Sequence, residues 1–329
     1  TLVLDAFGKK SAISNDPVTP DTRFALGPAT EAINSLLLER LAAQSLLDLD
    51  APARRCWDEF KFDDTSATKT VSLRQLLSMT SGLPGHADNF VSAPKSTPAD
   101  LFTVLAQITD IAQPGNTFVY SDASAAAAGY LAVYALIDHR APDAGLPAGY
   151  AALAKTQIFD PLGMKRATYA TPANPTADDE AVGSSRDGKG PWQPASAAPK
   201  SGGAMSPALG LRLSARDVAA WLQFEVSGGV TPDGKRLLDA SAVQERWHPP
   251  TSNEDRDYGL GWASQHYRGL ELVARIGEQN SQASLVVIIP QYRTAMAVLT
   301  NAGGHDVALF LQNALLNLAD FLRENAPAE

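Results

Sequence analysis

The sequence predicts an α+β fold, an α/β sandwich in which an antiparallel sheet is flanked by helices and carries an inserted all-helical lobe. The chain begins with a strand-like segment, continues with apolar residues at helical spacing, and returns to strand-like runs from residue 258 onward. Strands grouped at the two ends of a chain favour an antiparallel sheet over alternating parallel units. Hydrophobic residues make up 45% of the 329 residues, which is enough for one large core.

The first half of the chain is predicted to be mostly helical. Residues 1–8 are strand-like. A helix is predicted to begin near Pro28, because proline is favourable in a first helical turn, where the N–H that it lacks would have no intrahelical partner. Apolar periodicity and stop signals predict helices over residues 29–43, 71–79, 98–111, 122–138 and 150–159.

The second half is predicted to contain a long loop and most of the strands. Residues 172–203 are rich in Pro, Gly, Ser and Ala and are predicted to form a loop that could cover a cleft. Ser214 and Asp217 form a capping-box pattern before a helix over 214–227. Strands are predicted over 258–262, 271–276, 284–289 and 295–300, and a helix over 305–325. We expect a single domain over 1–329, with a sheet subdomain at about 1–25 and 240–329 and a helical lobe at about 26–239.

Charge and composition exclude several classes of function. The formal net charge of −9 and the absence of a basic stripe argue against a nucleic-acid partner. The longest apolar stretch, residues 123–137, is too short for the roughly 20 residues of a transmembrane helix. The single cysteine excludes an intrachain disulfide, and the five histidines do not have the spacing of metal ligands. The glycine pairs lack the strand–loop–helix context of a nucleotide site, so no cofactor is expected. The chain opens without a recognisable targeting peptide.

Several segments, in order along the chain, resemble one enzyme group. They are residues 21–27 (DTRFALG), 47–50, 71–84, 114–122 (PGNTFVYSD), 158–164, 258–262 (YGLGW) and 299–301. Together they resemble the serine β-lactamase and penicillin-binding-protein-like family, which includes class C β-lactamases, DD-peptidases and family VIII esterases. The resemblance implies a β-lactamase/transpeptidase-like fold, in which members usually carry a further helix and strand before the segment that corresponds to residues 2–8.

The resemblance also implies which positions carry the chemistry. The family uses a serine at a helix start, a lysine three residues later, a tyrosine facing both, and a Lys or His two residues before a glycine on the sheet. Here Pro28 stands at the serine position and Glu31 at the lysine position. Tyr120 is the only retained motif residue and is the catalytic residue that the resemblance implies. Asp122 replaces a common asparagine, and Arg275 precedes Gly277 in the third motif.

Other serines are weak candidates for the nucleophile. Ser66 and Lys69 form a literal Ser-x-x-Lys, but their polar surroundings predict a solvated loop without a continuing helix. Ser81 is predicted to lie in a helix-ending turn. Ser121, beside Tyr120, is expected to pack structurally, although a displaced nucleophile at this position stays possible.

The charged replacements suggest a pairing across the former catalytic centre. We expect Arg275 to pair with Glu31, because an unpaired buried carboxylate is unfavourable or becomes protonated. The alternative, weighed equally, is that both side chains are apart and solvated.

Two classes of function follow from these residues. The first is a pseudoenzyme that binds a small molecule, a peptide, a peptidoglycan-like ligand or a partner protein in the cleft. The second is an enzyme of altered chemistry, performing esterase, amidase or peptidase-like hydrolysis or acid/base catalysis with Tyr120 and Glu31. The family implies a periplasmic or secreted location, and a cytoplasmic location stays open.

Overall fold

The computed structural model describes residues 2–91, 95–136, 145–171, 178–188, 190–195, 203–248 and 257–325. The helices are α1 (Thr30–Ala43), α2 (Thr65–Thr70), α3 (Leu73–Leu77), α4 (Ala87–Val91), α5 (Pro98–Leu105), α6 (Asp122–Leu136), α7 (Leu146–Ala154), α8 (Asp160–Leu162), α9 (Ser206–Leu209), α10 (Ala215–Val226), α11 (Ala240–Trp247) and α12 (His305–Asn325). The strands are β1 (Arg23–Ala25), β2 (Ser184–Ser185), β3 (Gln193–Pro194), β4 (Arg212–Ser214), β5 (Asp257–Tyr258), β6 (Ala263–Tyr267), β7 (Leu270–Gln279), β8 (Gln282–Ile289) and β9 (Thr294–Thr300).

The main sheet is an antiparallel meander in the order β5-β6-β7-β8-β9. This arrangement confirms the predicted antiparallel sheet. Strand β6 pairs only with residues 270–274 of β7, whereas β8 pairs with β7 as far as Gln279. Residues 275–279 of β7 therefore extend past β6, and this part of the strand carries the third motif.

The two faces of the sheet are covered by different helices. On one face, Leu272, Leu285 and Val287 pack against Leu311 and Leu315 of α12. The other face packs against the larger helical core. Because side chains alternate between the faces of a strand, odd-numbered residues of β7 point toward that core.

Helix α1 lies at the centre of the helical core and is buried on nearly all sides. Most of its apolar residues, among them Ile33, Leu36 and Leu37, are 0–1% exposed. Neighbouring contacts come from α6, α9 and α11 as well as from the sheet side. The sequence predicted this helix correctly, and a helix that is apolar on most sides is expected to be buried.

The predicted opening strand is wrong. Residues 2–8 form no regular secondary structure, and Leu2, Val3 and Phe7 are 56%, 79% and 83% exposed. A strand requires a neighbour to satisfy its backbone groups, and none of the described strands pairs with this segment. The first strand is instead Arg23–Ala25, which pairs with Arg212–Ser214 outside the main sheet.

Other sequence predictions need smaller corrections. The Ser-x-x-Lys segment is not a loop but the short helix α2, which Asp64 caps by accepting from the Ala67 N–H. In the predicted strand 258–262 only Tyr258 is in a strand, because the chain turns at Gly261 with a φ of +76°. Helix α5 ends at Leu105, α6 is described as far as residue 136, and helices α4 and α11 and strand β6 were not predicted. Parts of the predicted loop, residues 172–177, 189 and 196–202, lie outside the described residues.

Candidate functional site

Pro28 and Glu31 lie where the chain enters α1. Residues Gly27–Ala29 form a 3-10 turn, and Gly27 has a φ of +59°, which glycine adopts without the clash of a Cβ. Glu31 follows in the first turn of α1 and is 1% exposed. The positive end of the helix dipole favours a carboxylate at this position.

Tyr120 and Asp122 are held by a capping interaction at the start of α6. Asp88 of α4 accepts hydrogen bonds from Ala123 N at 2.8 Å, from Asp122 N at 3.0 Å and from Ser121 Oγ at 2.9 Å. A carboxylate from another helix thus satisfies N–H groups that have no partner within α6. This contact fixes the backbone on which Tyr120 is carried.

Arg275 and Gly277 lie on the part of β7 that extends past β6. Both face α1, and Gly277 approaches the backbone before that helix closely. A Cβ at Gly277 would lie 2.2 Å from the Leu26 carbonyl oxygen and 2.9 Å from Ser284 Oγ. Only a glycine permits this contact between β7 and the entry to α1.

We expect Gly277→Ala to lower the free energy of unfolding by about 1–3 kcal/mol, because the added methyl group must push β7 away from backbone atoms. Urea denaturation followed by circular dichroism measures this effect. Gly85→Ala is the control, since a Cβ there would be 3.6 Å from its nearest neighbour. Its expected effect is within about 0.5 kcal/mol. Equal stability of the two variants would show that the close approach of β7 is unimportant.

The side chains of the site form one hydrogen-bonded network. Tyr120 Oη lies 2.8 Å from Glu31 Oε1 and 2.7 Å from Asp122 Oδ1. Tyr258 Oη donates to Glu31 Oε2 at 2.7 Å. Arg275 Nη2 donates to the same Glu31 oxygen and, at 3.0 Å, to Tyr120 Oη. The network therefore joins α1, the start of α6, β5 and β7.

The predicted pair between Arg275 and Glu31 is confirmed. The two side chains are 9% and 1% exposed, so the ion pair is shielded from solvent. Arg275 Nη2 also donates to the Pro28 carbonyl oxygen at 3.1 Å. The guanidinium carbon lies 5.4 Å from the ring centre of Tyr120 and 5.2 Å from that of Tyr258, which is within cation–π range.

Burial and charge shift the pKa values of this network. Burial raises the pKa of Tyr120, and the Glu31 charge raises it further. The pKa of Tyr258 is raised mainly by burial. Burial has the largest single effect on the pKa of Arg275 and lowers it, but Glu31, Tyr258 and Tyr120 together outweigh burial, so the pKa is raised. Burial, followed by the Glu31 charge, raises the pKa of Asp122 to about 8. At neutral pH the guanidinium is charged and both phenols keep their protons.

The alternative serines do not adjoin this network as accessible nucleophiles. Ser121 is fully buried and donates to Asp88, and Ser81 is 2% exposed. Ser66 and Lys69 are exposed on the short helix α2. At the position that the resemblance gives to the nucleophile, Pro28 supplies neither a hydroxyl nor a backbone N–H that could polarise a carbonyl group.

Sequence reasoning missed two residues of the site. The sequence assigned Tyr258 only to the sheet. The segment YGLGW, in which it lies, gave no sign that its hydroxyl reaches Glu31. Asp88 is 34 residues from Asp122 and showed no motif. Both contacts are made by tertiary packing between distant segments.

Among the described residues, no group of three or more His, Cys, Asp or Glu side chains could hold a metal ion. Within the same part of the chain, no helix has the length and apolar character needed to cross a membrane.

Comparisons with known proteins give a consistent result. The sequence model of the family described as Beta-lactamase matches residues 1–320. Penicillin-binding protein 4 of Amycolatopsis lactamdurans is 24% identical over 301 residues, which cover 87% of this chain and 74% of that protein. Protein flp of Staphylococcus aureus strain MW2 is 19% identical over 324 residues, which cover 98% of this chain and 61% of that protein. The chain thus spans less than two thirds of the second relative.

Solved structures match the whole architecture. The octameric penicillin-binding protein homologue from Pyrococcus abyssi has a TM-score of 0.75 at 22% identity, covering 95% of this chain and 70% of that chain. The class C beta lactamase from Rhodobacter sphaeroides has a TM-score of 0.74 at 20% identity, covering 95% and 90%. Likeness at this level of identity shows the fold, and the predicted fold class is confirmed.

Proposed function

Since the chain belongs to the beta-lactamase family, we propose that it is a pseudoenzyme of that family, which binds a ligand or partner in the cleft and performs no acyl transfer. The observation that carries this proposal is the buried pair of Glu31 and Arg275. It lies beside Pro28, where the family places the nucleophile. The site is occupied by side chains that hydrogen-bond to one another.

The chemistry of acyl transfer supports this proposal. A covalent mechanism requires a hydroxyl or thiol next to a group that accepts its proton. Glu31 could accept a proton, but its two oxygens receive hydrogen bonds from Tyr120, Tyr258 and Arg275. Tyr120 has a raised pKa and is therefore a poor base at neutral pH. Neither residue can replace the missing nucleophile in this arrangement.

The proposed class of ligand follows from the family. The relative from Amycolatopsis lactamdurans is named as a penicillin-binding protein. We propose a small molecule, a peptide, a peptidoglycan-like fragment or a protein as the ligand, and a periplasmic or secreted location.

One observation favours the alternative of an enzyme with altered chemistry. Asp122 is only partly buried by its neighbours, and its pKa of about 8 is close to the pH at which a general acid works best. In such an enzyme Asp122 and Tyr120 would deliver a proton and Glu31 would hold the charge. The alternative predicts turnover without a covalent intermediate.

Incubation with a fluorescent penicillin and with a short p-nitrophenyl ester distinguishes these functions. We expect no acyl adduct by intact-mass analysis and ester cleavage at the rate of the buffer blank, because none of the serines that we considered in the described part of the chain is an accessible nucleophile beside Tyr120. An active class C β-lactamase is the positive control for both reagents. An adduct would contradict the pseudoenzyme, and its position would identify a substitute nucleophile. Cleavage without an adduct that is lost in Tyr120→Phe would favour the alternative.

A further inference from the structure

The hydroxyl of Tyr120 has more close oxygen neighbours than one proton can serve. Its Oη lies 2.8 Å from Glu31 Oε1 and 2.7 Å from Asp122 Oδ1, and it accepts from Arg275 Nη2 at 3.0 Å. A phenol donates one hydrogen bond. If both carboxyl groups were ionised, one oxygen–oxygen contact would join two acceptors without a proton. One of the two carboxyl groups therefore brings a proton of its own.

Glu31 is the group that has the partners of an anion. Its Oε2 accepts from Tyr258 Oη at 2.7 Å and from Arg275 Nη2, and it lies at the N-terminus of α1. Charged partners and the helix end both favour the ionised form. Tyr120 then donates its proton to Glu31, and the second proton belongs to Asp122, whose side chain also interacts with that of Glu31.

Asp122 receives little support as an anion although it begins a helix. The N–H groups of Asp122 and Ala123 donate to Asp88, so the carboxylate of Asp88 takes the favourable position at the end of α6. Asp88 also accepts from Ser121 Oγ at 2.9 Å. The helix end therefore stabilises charge on Asp88 and not on Asp122.

We propose that the Asp122 carboxyl group is protonated at neutral pH, donates its proton to Tyr120 Oη, and acts as a pH-sensitive link between the start of α6 and the Glu31–Arg275 pair. In alkaline solution the O–H bond of Asp122 breaks and the proton passes to a solvent base. Two carboxylates then face a single phenol proton, and the link weakens. This inference does not depend on whether the cleft binds a ligand.

The sign of the pH dependence follows from the surroundings of Asp122. The groups that face it are Glu31 of α1, Tyr120 before α6, Asp88 of α4, Tyr258 of β5 and Arg275 of β7. Burial and the Glu31 charge raise its pKa from 3.8 to about 8. A carboxyl group whose pKa is raised in the folded state stabilises that state while it is protonated. This stabilisation is complete below the ordinary pKa of 3.8 and is lost as the pH rises through about 8.

The test compares wild-type protein with Asp122→Asn, whose amide donates to Tyr120 at every pH. Urea denaturation at several values between about pH 5 and about pH 9 gives the difference in unfolding free energy. We expect wild type to lose stability relative to the variant as pH rises, with a slope that corresponds to one proton. Glu39 and Glu180 also have raised pKa values, but their contribution is common to both proteins and cancels in the difference.

Infrared spectroscopy and NMR test the proton itself. We expect wild type at neutral pH to show the carbonyl stretch of a protonated carboxyl group, which the Asp122→Asn variant lacks. A pH-independent stability difference together with an unchanged carboxyl band would overturn the proposal. Should the variant not fold, a pH titration of aspartate 13Cγ signals in wild type alone decides. The absence of an aspartate in its acid form at neutral pH would then refute it.

Discussion

Arg275→Ala is expected to lower the free energy of unfolding by about 3–5 kcal/mol, because it leaves the Glu31 carboxylate buried without its counter-ion. Arg275 Nη2 also donates to the Pro28 carbonyl oxygen and to Tyr120 Oη, so the substitution removes the only cation of the network described here. Chemical denaturation at neutral pH measures the loss.

Arg268→Ala is the matched control for Arg275→Ala. Its ion pair with Asp320 has a contact of 3.0 Å, and the side chains are 53% and 30% exposed. An exposed pair contributes about 0–1 kcal/mol. The double variant Glu31→Gln with Arg275→Met removes both charges and should recover much of the lost stability. If Arg275→Ala is no less stable than Arg268→Ala, the buried pair does not hold the site together.

Arg246→Ala is expected to produce a comparable loss of about 3–5 kcal/mol, from a fully buried ion pair beneath α1. Arg246 Nη1 donates to both oxygens of Glu225 at 2.9 and 3.0 Å, and both side chains are 0% exposed. Arg246 also donates to the Ala32 carbonyl oxygen at 2.7 Å and to Ser35 Oγ at 3.2 Å. The guanidinium therefore ties α11 and α10 to the helix that carries Glu31.

Arg216→Ala serves as the control for this second prediction. Its partner Asp21 lies 2.9 Å away, but the side chains are 60% and 48% exposed. We expect an effect below about 1 kcal/mol there, measured in the same denaturant titration. If both variants lose the same small amount of unfolding free energy, water or rearranged side chains must take over the hydrogen bonds of the buried Arg246.

These two buried pairs have different consequences for function. The pair of Arg246 with Glu225 supports α1 from below and contacts neither Tyr120 nor Asp122 through its hydrogen bonds. The pair of Arg275 with Glu31 lies at the proposed binding cleft itself. The affinity for a ligand that binds at Tyr120 should therefore fall more in Arg275→Ala than in an equally destabilising variant at Arg246.

The chemical character of the site and most of the long regular elements could be predicted from residue identity and apolar pattern alone. Proline has no hydroxyl wherever it lies, so the replacement at Pro28 can be interpreted without coordinates. Strong apolar periodicity also located α1 and α12 correctly, because long amphipathic or buried helices repeat their pattern over several turns. The opening strand was mispredicted because local propensity does not supply the neighbouring strand that it needs.

The contacts among the site residues depend on packing between segments that are far apart in the chain. Tyr258 hydrogen-bonds to Glu31 across 227 residues of chain. Asp88 caps α6 from α4, a helix that the sequence did not predict. The proton on Asp122 depends on distances of a few ångströms and on burial, since charge interactions strengthen as water is excluded. Residue identity sets which groups can ionise, whereas packing sets which of them share a proton.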